Sequence, residues 1–338
     1  MKRLTAIFLF VFSFVSVTSM RGESIKFNGL VQTWFSYGEA GAGDDSGYGF
    51  TLRRVRFKPS GAFSDKITWT LQAGWDKQTA SLVDVYIDFI ISKAFKIRIG
   101  KYTVPGTISS SLTSSAKLDF VERAAITQQW GSRNGLTSYR ALGIQAYGDL
   151  MDGKLFYAFM FSNPRTSSLF SPSIKDNIYA TQNNGIVFWG RVEAFLTRGL
   201  RLGAFYTGGK ETDTELTKNS YGAHLFYVNN GINFKVEYIA GEAGLEGMET
   251  KYNGMYAVLG YNTGKVEPIV RYDFYTPVDG GADSAGVEKY NNITLGLNYY
   301  HTKNVKFQAN YVLRKESMVA GHDEIKNNLF YVCFQYSY

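Results

Sequence analysis

The sequence predicts an all-β protein: a transmembrane antiparallel β-barrel of about 16 strands, with short periplasmic turns and long external loops. Three observations carry this. Apolar and polar residues alternate with period two in segments of about ten residues, the length a tilted membrane-spanning strand needs. Short turns alternate with longer polar connections along the whole chain. The composition is strand-like, with 24 Tyr, 25 Phe and 35 Gly against 6 Pro.

Composition narrows the alternatives. Of the 338 residues, 45% are hydrophobic and 19% charged, which excludes a disordered chain. The single cysteine, Cys333, excludes a disulfide framework and a cysteine-based zinc site. No interior apolar run approaches about 20 residues, which excludes a helical membrane bundle.

The first element is an export signal. Lys2 and Arg3 precede an apolar run over 4–17, followed by Thr18 and Ser19. This pattern predicts a signal peptide over 1–19, with cleavage as late as residue 22. Residues 23–338 then form a single barrel domain. Loss of Lys2 and Arg3 lowers the formal charge from +7 to +5.

The strands follow in order. Ile25, Phe27, Val31, Phe35 and Tyr37 share one parity, and Lys26, Asn28, Gln32 and Ser36 the other. Ile67, Trp69, Leu71, Ala73 and Trp75 alternate with Lys66, Thr68, Thr70 and Gln72. Val83, Val85, Ile87 and Phe89 alternate with Asp84, Tyr86 and Asp88, and Val305, Phe307, Ala309, Tyr311 and Leu313 with Lys306, Gln308, Asn310 and Arg314. The last strand, from Asn328, carries Phe330, Val332, Phe334, Tyr336 and Tyr338 on one parity, a terminal aromatic on the lipid side. Turn chemistry marks 61–65, 92–94, 151–153, 197–199, 229–231, 262–264 and 301–304. The longer connections are 38–48, 76–81, 104–138, 162–184, 208–219, 241–251, 276–289 and 315–327. A secreted β-sandwich or propeller would need a second apolar layer. Here the polar parity carries ionised groups across nearly every strand, as a water-filled interior requires.

The segment FTLRRVRFKPSGAFSDKITWTLQAGWD from Phe50, then VDVYIDF from Val83, resembles the phosphate-selective porin O/P family. IRIGKYTVPG from Ile97, LTSSAKLDFVERA from Leu112 and RALGIQAYG from Arg140 continue the likeness in order. The resemblance implies an exported sixteen-stranded trimeric barrel in an outer membrane, passing phosphate or other solutes. It also implies that the 104–138 loop folds into the barrel and narrows the pore. Where the family often has an acidic residue and Pro-Phe, this chain reads Val104-Pro105-Gly106. The lysine and arginine arrays of phosphate-selective members do not transfer residue by residue, so the likeness supports a porin more firmly than phosphate.

With the apolar parity facing lipid, Arg54, Arg56 and Lys58 of the second strand and Lys96 and Arg98 of the fifth face the lumen. Asp84 and Asp88 of the fourth strand would oppose them. The expected anion-contacting set is Arg54, Arg56, Arg98, Lys101, Arg123 and Arg140, against an acidic wall of Asp84, Asp88, Asp119 and Glu122. The plainer alternative is that Arg54 and Arg98 pair with Asp84 and Asp88 and only complete the wall. Arg53 is anomalous, because its parity points to lipid, where a midplane arginine costs about 2–4 kcal/mol. An interfacial position, snorkelling, a subunit contact or a register-shifting bulge would each relieve that cost.

The function expected is passive diffusion of small hydrophilic solutes with an anion preference, phosphate among the candidate solutes, through a homotrimer held in outer-membrane lipid. No catalytic residue, cofactor or nucleic-acid partner is expected. The competing class is a closed barrel serving as a surface hydrolase or adhesin. His224, His301 and His322 are isolated, and only His224 and His322 would be candidates for it. The loop acids Asp44, Asp45, Asp279 and Asp283 could meet a divalent ion, though solvated loops are the default.

Overall fold

The computed structural model describes residues 25–39, 47–76, 79–128, 140–163, 186–211, 216–245, 249–276, 286–319 and 327–338. The signal segment, Asp44, Asp45, Arg133, Asp279, Asp283, His322 and the 129–138 part of the long loop lie outside them. Sixteen strands occur in chain order. The first eight are β1 (Lys26–Gly38), β2 (Gly47–Ser64), β3 (Ile67–Asp76), β4 (Thr79–Ile90), β5 (Lys96–Thr103), β6 (Arg140–Leu150), β7 (Leu155–Ser162) and β8 (Val187–Thr197). The rest are β9 (Leu200–Glu211), β10 (Leu216–Asn229), β11 (Ile232–Leu245), β12 (Thr250–Tyr261), β13 (Val266–Tyr275), β14 (Val287–Tyr300), β15 (Val305–Met318) and β16 (Leu329–Ser337).

Each strand pairs antiparallel with its chain neighbours, and β1 pairs with β16 to close the barrel. Closure is what lipid demands, since an open edge would leave backbone groups unpaired in hydrocarbon. Beyond the ladder, Gly29 and Tyr338 exchange backbone hydrogen bonds of 2.9 and 3.2 Å. The Tyr338 ring covers Gly29 so closely that a side chain there would collide with it. Alternation sets the faces as expected. On β15, Phe307, Tyr311 and Leu313 are exposed, while Lys306, Gln308 and Asn310 are buried inward.

The short turns follow local chemistry. Asn229 pairs with Ile232, leaving Asn230 and Gly231, both at positive φ, as a two-residue turn suited to strand twist. The first turn departs from expectation. β2 continues through Gly61 to Ser64, so the hairpin closes at Asp65 and Lys66, because Gly61 and Ala62 still pair with Trp69 and Thr68. The expected 208–219 loop likewise shrinks to the residues between Glu211 and Leu216.

The main apolar core lies inside the barrel. The long loop enters it after β5 and includes a π-helical turn at Ile108–Leu112 and a 3-10 turn at Ser115–Lys117. Ile108, Phe120, Ala124 and Ile126 pack on Phe205, Phe226, Ile239, Tyr252, Tyr256, Val258 and Ile269 of β9–β13. Val121 packs on Trp34, Leu329, Tyr331 and Cys333 near the seam. The inner face is therefore not polar throughout, contrary to the sequence reading. Its β9–β13 sector is an apolar seat for the loop.

A loop buried this way must have its backbone groups satisfied by side chains. Glu237 accepts from the Ile108 and Ser109 N–H groups at 2.7 and 3.3 Å, Asn310 from Val121 at 2.7 Å and Asp273 from Ala125 at 2.9 Å. Lys306, Asn298 and Arg271 donate to the carbonyls of Leu118, Asp119 and Glu122 at 2.8–2.9 Å, and Arg191 to that of Gly106. Charged wall residues at these positions hold the inserted loop in place.

Candidate functional site

The loop packs on the wall from β9 round to β16 and Trp34 of β1, and the larger open space of the lumen is walled by β1–β6. Two bulges shape this open wall. Gln32 pairs with Arg54 and Thr33 with Leu52, so Arg53 is the extra residue. The bulge lets Tyr48, Phe50 and Leu52 stay exposed outward while both Arg53 and Arg54 turn inward. This resolves the anomaly at Arg53 through the register shift. On β4, Gln72 pairs with Asp84 and Ala73 with Leu82. Val83 is the extra residue there and is buried, not lipid-exposed as its alternation predicts.

Arg53 meets Glu122 of the loop at 3.2 Å and lies 4.9 Å from the centre of the Trp34 ring. Arg54 donates to Gln32 at 3.0 Å and approaches the other Glu122 oxygen at 3.8 Å. One carboxylate thus serves two guanidinium groups. Arg56 pairs with Asp76 and lies across Gly74, where any side chain would displace the guanidinium. Arg98 makes a two-pronged pair with Asp88 at 2.8 and 2.9 Å and stacks over Tyr86 at 3.9 Å, while the Tyr147 hydroxyl donates to Asp88 at 2.8 Å. Arg140 pairs with Asp84 at 2.7 Å.

These pairings revise the expected electrostatics. Asp84 and Asp88 do not oppose the basic sector; they sit within it, between the cations of β2 and those of β5 and β6. Asp119 faces away, gripping Lys235 at 2.7 Å and Asn233 at 2.9 Å on β11. Glu122 is the predicted acid that does oppose the arginines. Lys101 does not join the wall: it shares parity with Ile97 and Ile99 and pairs with Val85 and Leu142 on the outer face. Strict period-two alternation from Arg98 forces this. Arg123 donates to the carbonyls of Ser109 and Thr113 at 2.9 Å each, bracing the loop's inner edge. Burial first, and Arg54 after it, lowers its pKa below the usual guanidinium range.

Between the loop edge and this wall runs a cavity of about 930 Å³. It extends from Asn304 and Ser337 on the turn side to Gln128 and Arg140 on the loop side. Arg53, Arg54, Arg56, Lys58, Arg98, Lys117, Arg123 and Arg140 line it, against Asp76, Asp84 and Glu122. Cations therefore outnumber carboxylates eight to three. Sequence reasoning missed Asp76, Tyr86 and Tyr147 as partners of the arginines. Their parity was readable, but cross-strand register was not. The hydrolase candidate His224 is buried in the far wall, 3.4 Å from Glu193 and edge-on to Phe226.

The model of the family described as phosphate-selective porin O and P matches residues 26–154 and 200–338. The chain belongs to this family. It is a porin, a channel of the outer membrane. Among solved structures, the anion-selective porin of Comamonas acidovorans aligns with a TM-score of 0.70 at 14% identity, covering 94% of this porin and 100% of that chain. The trimer form of OmpT from Vibrio cholerae aligns at 0.67 and 12% identity, covering 94% and 100%. The channel DcaP of Acinetobacter baumannii aligns at 0.65 and 11% identity, covering 95% and 99%. No curated protein sequence matches this porin.

Proposed function

We propose that this porin is an anion-preferring diffusion channel that admits phosphate among other small anions, works as a homotrimer and reaches the outer membrane through a cleaved signal peptide over 1–19. The observation that carries the proposal is the surplus of cations along the open cavity. A low-dielectric wall of one sign raises the local concentration of the opposite ion. The partners of Arg56, Arg98 and Arg140 neutralise part of that surplus, so the preference is moderate. Lys58 and Lys117, and Arg53 and Arg54 sharing one carboxylate, supply the remaining field. Guanidinium groups suit phosphate through their planar fork of donors, yet a permeant site must also release its ion. Phosphate binding is accordingly weak. The trimeric form of OmpT from Vibrio cholerae supports the homotrimer, and the anion selectivity of the Comamonas acidovorans porin supports the anion preference.

Zero-current potentials across planar bilayers in a potassium chloride gradient test the central claim. Anion preference is expected, with partial block of chloride current by phosphate. Cation preference would overturn it, and anion preference without phosphate block would leave a general anion channel.

A further inference from the structure

A second cavity, of about 640 Å³, lies on the turn side of the constricting loop, against the β8–β13 wall. Thr197 and Gly199 at the β8–β9 turn border it, and it shares residues 112–114 and Lys117 with the main channel. The two cavities are therefore neighbours. The lining of this second cavity is of another kind: Phe195 and Val228, exposed to the cavity and backed by the buried Phe226 and Val258, give it an apolar floor that the arginine-lined channel lacks.

Two cations at this floor retain charge. Arg201 is 35% exposed and reaches Glu193 at only 3.5 Å. That carboxylate is already held by Arg191 at 2.8 Å, and His224 competes for the same oxygen at 3.4 Å. Arg201 lies instead against the Phe226 ring, 4.9 Å from its centre. Lys117 is exposed and makes no side-chain ion pair or hydrogen bond among the described residues. By contrast, Lys235 is neutralised by Asp119. A volume in the range of small-ligand pockets, an apolar floor, the weakly paired Arg201 and Lys117, unpaired among the described residues, together describe a receptor for a compact amphipathic anion.

We infer that this pocket binds small aromatic or alicyclic carboxylates, the ring on Phe195 and Val228 and the carboxylate at Arg201 and Lys117. The inference rests on the channel described above but not on its arginine wall. Inorganic anions have nothing to place on the floor, so the pocket discriminates organic from inorganic anions where the main channel does not.

The test uses the purified porin in detergent and in bilayers, with benzoate as probe and acetate and inorganic phosphate as comparisons. Benzoate is expected to bind by calorimetry about tenfold more tightly than acetate, the ratio its extra buried apolar area gives. It should also reduce chloride current at concentrations where acetate does not. Arg201→Gln should weaken benzoate binding about tenfold through loss of a charge-assisted contact. Val228→Asn, at a half-exposed position outside the packed core, should erase the preference for benzoate over acetate. Equal affinity for benzoate and acetate, or unchanged benzoate affinity in both variants, would overturn the inference. Reversal potentials measured in parallel separate the two readings: cation preference with benzoate bound refutes the anion channel alone, and anion preference without benzoate binding refutes this pocket alone.

Discussion

Arg53 and Glu122 meet at 3.2 Å inside the lumen, although unbroken alternation along β2 would place Arg53 in lipid. A single extra residue makes the difference. The bulge turns two consecutive arginines to the same side and aims both at one loop carboxylate. An arginine at the hydrocarbon midplane costs about 2–4 kcal/mol, so the bulge spares the chain that cost as well as placing the charge.

Cysteine accessibility reads this bulge directly. In the wild type, Cys333 is fully buried and should stay unreactive toward water-soluble thiol reagents. Arg53→Cys should react with a charged methanethiosulfonate reagent, and its modification should change single-channel current. Leu52→Cys should react only with a membrane-soluble maleimide. The opposite pattern would mean that β2 has no bulge.

Glu122→Gln removes the one negative charge that the arginine pair shares. The anion-to-cation permeability ratio, taken from reversal potentials in dilute salt, should rise about twofold to fivefold, and the rise should shrink as salt screens the pair. Adding Arg53→Gln to this variant should return the ratio toward wild type. An unchanged ratio in the single variant would remove Glu122 from the selectivity determinants.

The barrel was legible because period-two patterning and turn chemistry are local. Both survive without knowledge of strand partners, and they give sixteen strands. The parity of Arg54, Arg56 and Arg98 was equally local. Their pairing was not. Asp76 finds Arg56 and Asp88 finds Arg98 through cross-strand register, and each bulge shifts that register by one residue. The apolar seat on β9–β13 escaped for a related reason. Phe205, Phe226 and Ile239 stand on three different strands and form one surface only with the loop packed on them.

Arg98 is a wall residue as well as a member of the cationic lining. Arg98→Ala leaves Asp88, 10% exposed, without its two-pronged partner and strips Tyr86 of its stacked cation. Destabilisation of about 1–3 kcal/mol is expected, seen as a lower unfolding midpoint in denaturant, together with a reversal potential shifted toward weaker anion preference. Arg98→Lys should recover only part of it, since an ammonium cannot fill both prongs.

Glu237→Gln tests the loop anchor. The carboxylate accepts from the Ile108 and Ser109 N–H groups and from the Tyr256 hydroxyl. An amide has one acceptor oxygen, so at least one buried donor is left unpaired, at a cost of about 1–3 kcal/mol. Channel recordings should show larger and noisier conductance, while the barrel still resists denaturation by mild detergent. Recordings as quiet as wild type would show that the apolar contacts of Ile108 and Ile126 suffice.

The loop's dependence on Glu237, Asp273, Asn310 and Lys306 has a consequence for exchange between relatives. Residues 104–128 and the inward positions of β8–β15 are two halves of a single structural unit, and the pairs that anchor it lie 85 to 190 residues apart in the chain. A chimera that receives the loop alone would carry the sequence of this constriction without its shape. Transfer of permeation properties to another scaffold demands that the distant wall travel with it.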